Sequence, residues 1–359
     1  VFLPALLLLT GCFKPYGDLA ELDFSDLPFD NEVVQADDAR VAAVDTALTC
    51  PDGEPARVFA VYRESWDGPR PTAVVLHSGA FDYVDAPTAA DPFDGPGYHA
   101  DDRLARPWSV AKAWETLGIN SRAVDVEEDN TGALAAALVD AEVAVVVPAN
   151  CWGDLWHNIE GEVENDVESE FLTRDGLGLA SATVRSLVDA GLVQETGIQI
   201  PVQVDPDQLF LVGLGEGGRG VAELLNRADT PAIAAALVDS SPDALSVWAA
   251  DPGTYGDEVT GLERIFGVDN LGTVDDASLA TAVSAGLAPD RTAVIWSSLD
   301  PGLPGAMTAG AAEAVAALPG GWVVDTAAAT HVQLGADEAL AADAVTWMLG
   351  GTPGSESDE

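Results

Sequence analysis

Lysine is almost missing from this chain of 359 residues: Lys14 and Lys112 are the whole complement. Basic residues number 15 against 60 acidic ones, a formal net charge of -45. Such a surface repels phosphate backbones and anionic headgroups, which sets nucleic acid aside as a partner. It suits a salty medium or reflects a habit of lineage, and both explanations stay open. Cysteine is scarce, with Cys12, Cys50 and Cys151 only. The apolar run Phe2 to Leu9 is too short to span a bilayer as a helix. No repeat recurs at a fixed period, so a solenoid is excluded. The alternating acids Glu160, Glu162, Glu164, Asp166, Glu168 and Glu170 lack the EF-hand pattern with its central glycine. They read as a solvated loop, and the reading requires no metal and no cofactor.

What is present is apolar residue in bulk, 48% of the chain, ample for one large core. One stretch organises it. Leu209 to Val212 is a wholly apolar run, read as a strand buried on both faces. Gly213, Gly215, Gly217 and Gly218 follow at once. Val221, Ala222, Leu224 and Leu225 then recur at helical spacing, which places Arg219, Glu223 and Arg227 on the wet side. A strand, a glycine-dense turn and a helix imply a chain forced through strained backbone angles.

Gly213-Leu-Gly-Glu-Gly217-Gly218 resembles the nucleophile elbow of the α/β-hydrolase family, which reads glycine, any residue, serine, any residue, glycine. Here the serine position is Gly215, which has no side chain to attack with. The resemblance implies an α/β fold, a mostly parallel sheet flanked by helices, with a lid-like insertion. The frame of an enzyme is expected without its usual nucleophile.

The element pattern agrees. Arg57 to Tyr62, Pro71 onward, Val143 to Val147, Ile233 to Val238, Ala293 to Trp296 and Trp322 to Val324 read as further strands. Arg103 to Leu117, Leu134 to Val139, Leu172 to Leu192, Ala309 to Leu318 and Asp337 to Leu349 read as helices. The hydrolase-like domain is expected over 39–349, with the lid-like insertion at 242–290. Residues 350–359, rich in Gly, Ser and acid, are an expected disordered tail.

The amino-terminal end reads separately. Leu9-Thr-Gly-Cys12 resembles the lipobox of a bacterial lipoprotein, so residues 1–12 are the expected end of a signal peptide. The resemblance implies that Cys12 carries the lipid. Residues 13–38, acidic and without period, are then a solvated tether. Phe13 rather than Asp follows the cysteine, which implies passage to the outer membrane. The protein is expected to be exported and anchored in the cell envelope, touching membrane only through its lipid. Export leaves Cys50 and Cys151 as an even pair in an oxidising compartment; a disulfide and two buried thiols both remain open.

The resemblance also locates a constellation. The family's order is nucleophile, acid, histidine. Asp300, in Leu299-Asp-Pro-Gly-Leu-Pro304, matches the acid, and His331, in Thr330-His-Val-Gln-Leu334, matches the histidine. Asp239 at the end of an earlier strand is the alternative acid. His77-Ser-Gly-Ala-Phe81 resembles the oxyanion loop of the esterase branch, so Gly79, Ala80 and the N–H of Glu216 are the expected donors. Ser78 and Ser240 are hydroxyls near the same edge but outside the elbow. Trp152, Trp156 and His157 line a pocket or cap the sheet. Two functions stay in view: a non-catalytic pseudo-hydrolase that binds a small molecule or protein, and a hydrolase with an unorthodox nucleophile or activated water.

Overall fold

The computed structural model describes residues 39–49, 55–63, 65–76, 132–148, 157–159, 162–164, 184–185, 203–254, 272–300, 303–327, 333–334 and 337–354. Cys12, Cys50, Cys151, Gly79, Ala80, His331, the tether and the helix expected at 103–117 lie outside them. So does the helix expected at 172–192, except Val184 and Arg185, which are helical.

Among the described residues, eight strands form one sheet. They are β1 (Ala39–Thr49), β2 (Pro55–Arg63), β3 (Pro69–Leu76), β4 (Ala144–Pro148), β7 (Gln203–Leu214), β8 (Ala235–Asp239), β9 (Thr292–Trp296) and β10 (Trp322–Asp325). A separate hairpin pairs β5 (His157–Ile159) with β6 (Glu162–Glu164). Across the large sheet the order is β1-β2-β4-β3-β7-β8-β9-β10. Strand β2 runs against both of its neighbours. From β4 to β10 the six strands are parallel. The mostly parallel sheet implied by the sequence is therefore the architecture observed.

The apolar runs explain themselves in this setting. Side chains two apart on a strand share a face. Leu209 and Leu211 pack on one face with Val74, Leu76, Val221, Leu224 and Val315. Phe210 and Val212 pack on the other with Leu138, Val145, Leu340 and Trp347. A strand covered on both sides loses the alternation of polar and apolar residues and becomes apolar throughout. Helices α1 (Gly132–Asp140) and α6 (Glu338–Met348) cover the second face. Helices α2 (Glu216–Leu225), α4 (Leu279–Ser284) and α5 (Gly305–Ala316) cover the first.

Several boundaries differ from expectation. Strand β7 begins at Gln203, six residues before the apolar run, because its polar first half pairs with Pro69 and Arg70 of β3. Helix α5 starts at Gly305 rather than Ala309, directly after Pro304 at its N-cap. The acid run, expected as loop, contains the hairpin strand β6. Within 242–290, α3 (Ser246–Ala250) and α4 are formed, and Ser278 caps α4 by accepting the Thr281 N–H. At the far end of the chain, Gly354 donates its N–H to Asp343 of α6 at 2.7 Å.

Candidate active site

The elbow is built by what its residues lack. Gly215 sits between β7 and α2 at φ 52, ψ -122, a conformation costly for any residue with a Cβ. Its N–H donates to the Asp239 carbonyl at 2.8 Å, and its carbonyl accepts the Gly218 N–H at 3.0 Å. The neighbouring glycines answer a second demand. A Cβ on Gly213 would lie 2.3 Å from the Gly218 Cα, and one on Gly218 would lie 2.5 Å from the Ser241 Cβ. Helix α2 thus leans on its own strand and on the loop after β8 more closely than side chains allow.

Parallel pairing then aligns the strand ends. Leu214 pairs with Asp239, Asp239 with Ile295, and Asp325 with Trp296. Leu76, the last residue of β3, pairs with Gly213. The four loops expected to carry chemistry therefore leave one edge of the sheet side by side. Of the expected oxyanion donors, Gly79 and Ala80 follow that exit of β3, and Glu216 opens α2 beside Gly215.

The two candidate acids differ in setting. Asp300 is half-buried, and its Oδ1 accepts the Leu303 N–H at 3.1 Å within its own turn. Asp239 has no exposed surface. Its Oδ2 accepts the Leu334 N–H at 2.7 Å, three residues beyond His331. Its Oδ1 accepts the Ser240 hydroxyl at 3.0 Å. Ser240 itself is buried at φ 51, a strained angle for a non-glycine residue.

Sequence patterning does not reveal two further groups. Asp325 ends β10, and its Oδ1 accepts the N–H groups of Ser298 and Ala327, each at 3.0 Å. The loops bearing Asp300 and His331 are thereby tied together at their roots. The Ser298 and then the Ala327 hydrogen bond hold the Asp325 carboxyl below its ordinary value. The second group is Arg219, which helical periodicity places on the wet side. That reading is corrected: Arg219 is 1% exposed. Its Nη1 donates to the Asp243 carbonyl at 2.9 Å, its Nη2 to the Val274 carbonyl at 2.6 Å, and its Nε to Glu223 at 3.2 Å. Periodicity cannot see that Asp243 and Val274 bring their carbonyls over this side of α2. Burial raises the carboxyls of Asp243 and Glu223, and Arg219 partly offsets both shifts. Asp243 also accepts the Leu279 and Ala280 N–H groups at the start of α4. The cluster Asp239-Ser-Ser-Pro-Asp243, polar directly after a buried strand, is the signal that marks this region.

Among the described residues no group of His, Cys, Asp and Glu is disposed to hold a metal ion. No helix among them is long and apolar enough to cross a membrane.

No protein-family model matches the sequence, and no curated protein does. Solved structures do match its fold. Carboxyl esterase 2 from the fungus Tuber melanosporum is 16% identical, with a TM-score of 0.50 over 93% of this chain and 95% of that one. Esterase B from Lactobacillus rhamnosis is 13% identical, with a TM-score of 0.50 over 92% of this chain and 86% of that one. Oligopeptidase B from Leishmania major is 14% identical with a TM-score of 0.44, and this chain spans 32% of its length. Together with the strand order, the two esterases establish that the chain has an α/β-hydrolase fold.

Proposed function

We propose that this protein is a cell-envelope lipoprotein whose α/β-hydrolase fold has lost its nucleophile and serves to bind or scaffold a small molecule or protein. The observation that carries the reading is Gly215. It occupies a strained strand-to-helix turn, where the family places its attacking serine. The turn is kept and the hydroxyl is gone. Acyl transfer needs a nucleophile beside its base, and a hydrogen atom at this apex cannot serve.

The test compares wild type with Gly215→Ser. Wild type is expected to show no labelling by a serine-directed fluorophosphonate and no turnover of short or long acyl esters. Gly215→Ser restores an oxygen at the apex and is expected to label and to cleave an activated ester slowly. Wild-type labelling at another residue would overturn the reading.

The anchoring part rests on Leu9-Thr-Gly-Cys12. Cys12→Ser is expected to release the protein from membranes or block its processing; unchanged partition removes the lipoprotein reading.

A second reading, an ester or acyl hydrolase working through His331 and Asp300 with activated water, draws support from Asp325. That residue ties the two loops bearing the pair. Ester turnover by wild type that His331→Ala abolishes would favour it over the first.

A further inference from the structure

Helices α3 and α4 are each held at their start by a carboxylate from the approach to the other. Asp243, ahead of α3, accepts the Leu279 and Ala280 N–H groups that open α4. Asp275, ahead of α4, accepts the Ser246 N–H that opens α3 at 3.1 Å, and the Ser246 hydroxyl as well. We propose that this reciprocal exchange, gripped by Arg219, is a clasp that makes α3 and α4 one conformational unit, opening from α2 and closing on it together. The inference goes beyond the function proposed above and does not depend on it.

Three observations carry it. The first is the crossing of the caps. The first N–H groups of a helix have no partner inside it. Leu245, at the N-cap of α3, offers no side-chain acceptor, so the Ser246 N–H relies on Asp275. In α4 the Ser278 hydroxyl takes the Thr281 N–H and leaves Leu279 and Ala280 to Asp243. Moving one approach alone strips donors at both crossings, whereas moving the two together keeps every one of these bonds. The second is the grip. A single guanidinium, that of Arg219, donates to the backbone of both approaches, at the Asp243 carbonyl at 2.9 Å and the Val274 carbonyl at 2.6 Å. Asn226, just past the end of α2, adds a bond to the Ser278 carbonyl at 3.1 Å. The third is charge. Burial pushes the Asp243 carboxyl up, the Leu279 N–H and Arg219 pull it back, and the charge of Asp275 pushes it up again. Two like charges stay close while that cation and those N–H groups stay in place. Arg219 follows Gly215 by four residues on the same helix, so the clasp takes hold of α2 close to the vacant elbow.

Hydrogen exchange of the whole protein, followed by NMR and corrected for intrinsic rates, tests the unit. Amides released by one opening share one protection factor. In wild type, Ser246, Leu279 and Ala280 are expected to share such a factor, below those of Leu211 and Leu237 in the sheet. Asp275→Ala removes an acceptor that bonds Ser246 directly and neither of the other two amides. It is expected to lower protection at all three by the same factor, about tenfold, and to leave Leu211 and Leu237 unchanged. Arg219→Lys keeps the charge but offers one nitrogen in place of two, and is expected to lower the same three amides together. A fall confined to Ser246 in Asp275→Ala overturns the proposal. Three unequal factors in wild type overturn it as well, as does an equal fall in the sheet, which would mark a global loss. Should Arg219→Lys fail to fold, the Asp275→Ala exchange alone decides.

Discussion

The glycines of the elbow and the arginine that follows them lie within seven residues of chain and obey opposite demands. At Gly213 and Gly218 the backbone of α2 meets β7 and Ser241 so closely that a single methyl group does not fit. At Arg219 the same helix faces the Asp243 and Val274 carbonyls and buries the longest cationic side chain available. One side of the helix is defined by excluded volume, the other by unsatisfied oxygens that need donors. Substitution costs on the first side should scale with size, and on the second with charge and hydrogen bonding.

The largest effect is expected from Arg219→Ala. It leaves the Asp243 and Val274 carbonyls without their donors, and the half-buried Glu223 and buried Asp243 carboxyls without their cation. Removing one partner from such a group costs about 3–5 kcal/mol, read as a fall in the urea midpoint at neutral pH. Both carboxyls are raised in the folded state, first by burial. Such groups bind protons more tightly folded than unfolded, so stability is gained as pH falls through the folded value toward the unfolded one. Without Arg219 that gain should grow, and the deficit of the variant should narrow on mild acidification. A deficit independent of pH would show that lost packing, not charge, dominates.

Gly213→Ala comes next. The new Cβ would lie 2.3 Å from one backbone atom and 2.5 Å from another, and neither can swing aside. A loss of about 2–3 kcal/mol is expected, again as a urea midpoint. A neutral result would mean that α2 moves freely on β7, and the steric half of the comparison would fail.

Gly215→Ser is expected to cost about 1–3 kcal/mol from its strained backbone angle. The variant is expected to fold with a lowered thermal midpoint. A loss as large as that of Gly213→Ala would place Gly215 under the same packing demand as its neighbours.

The smallest effect concerns Asp325, an exposed carboxylate that ties two loops. Its carboxyl is held below the usual 3.8 by the Ser298 and Ala327 hydrogen bonds. The stability it contributes is present above that usual value and is lost as pH falls through the lower folded one. Asp325→Ala should therefore unfold with a flatter dependence on pH in the acid limb than wild type. Identical acid limbs would remove Asp325 as the clamp.

Residue patterning reaches some of this molecule and not the rest. The runs Leu209 to Val212 and Ala293 to Trp296 are legible as strands because burial on two faces demands apolar residues in succession. The elbow is legible because strained angles and close approach both exclude side chains, leaving glycine as a local record of a tertiary contact. Strand β1 and the first half of β7 are not legible. Their partners, Pro55–Arg63 and Pro69–Arg70, lie elsewhere in the chain, and residues 206–208 of β7 are exposed.

The order of acid and histidine along the chain is likewise a property of the sequence, and so is the absence of a hydroxyl at residue 215. Which acid lies against the histidine loop is not. Asp239 and Leu334 are 95 residues apart, and only the parallel registration of β7 beside β8 brings the Asp239 carboxylate to the elbow and to that loop together. Arg219 reads as a solvated residue until the segment 55 residues further on supplies the Val274 carbonyl. Local composition records how a residue meets its own strand or helix. Hydrogen bonds across such separations are set by the sheet and by the layers that pack upon it.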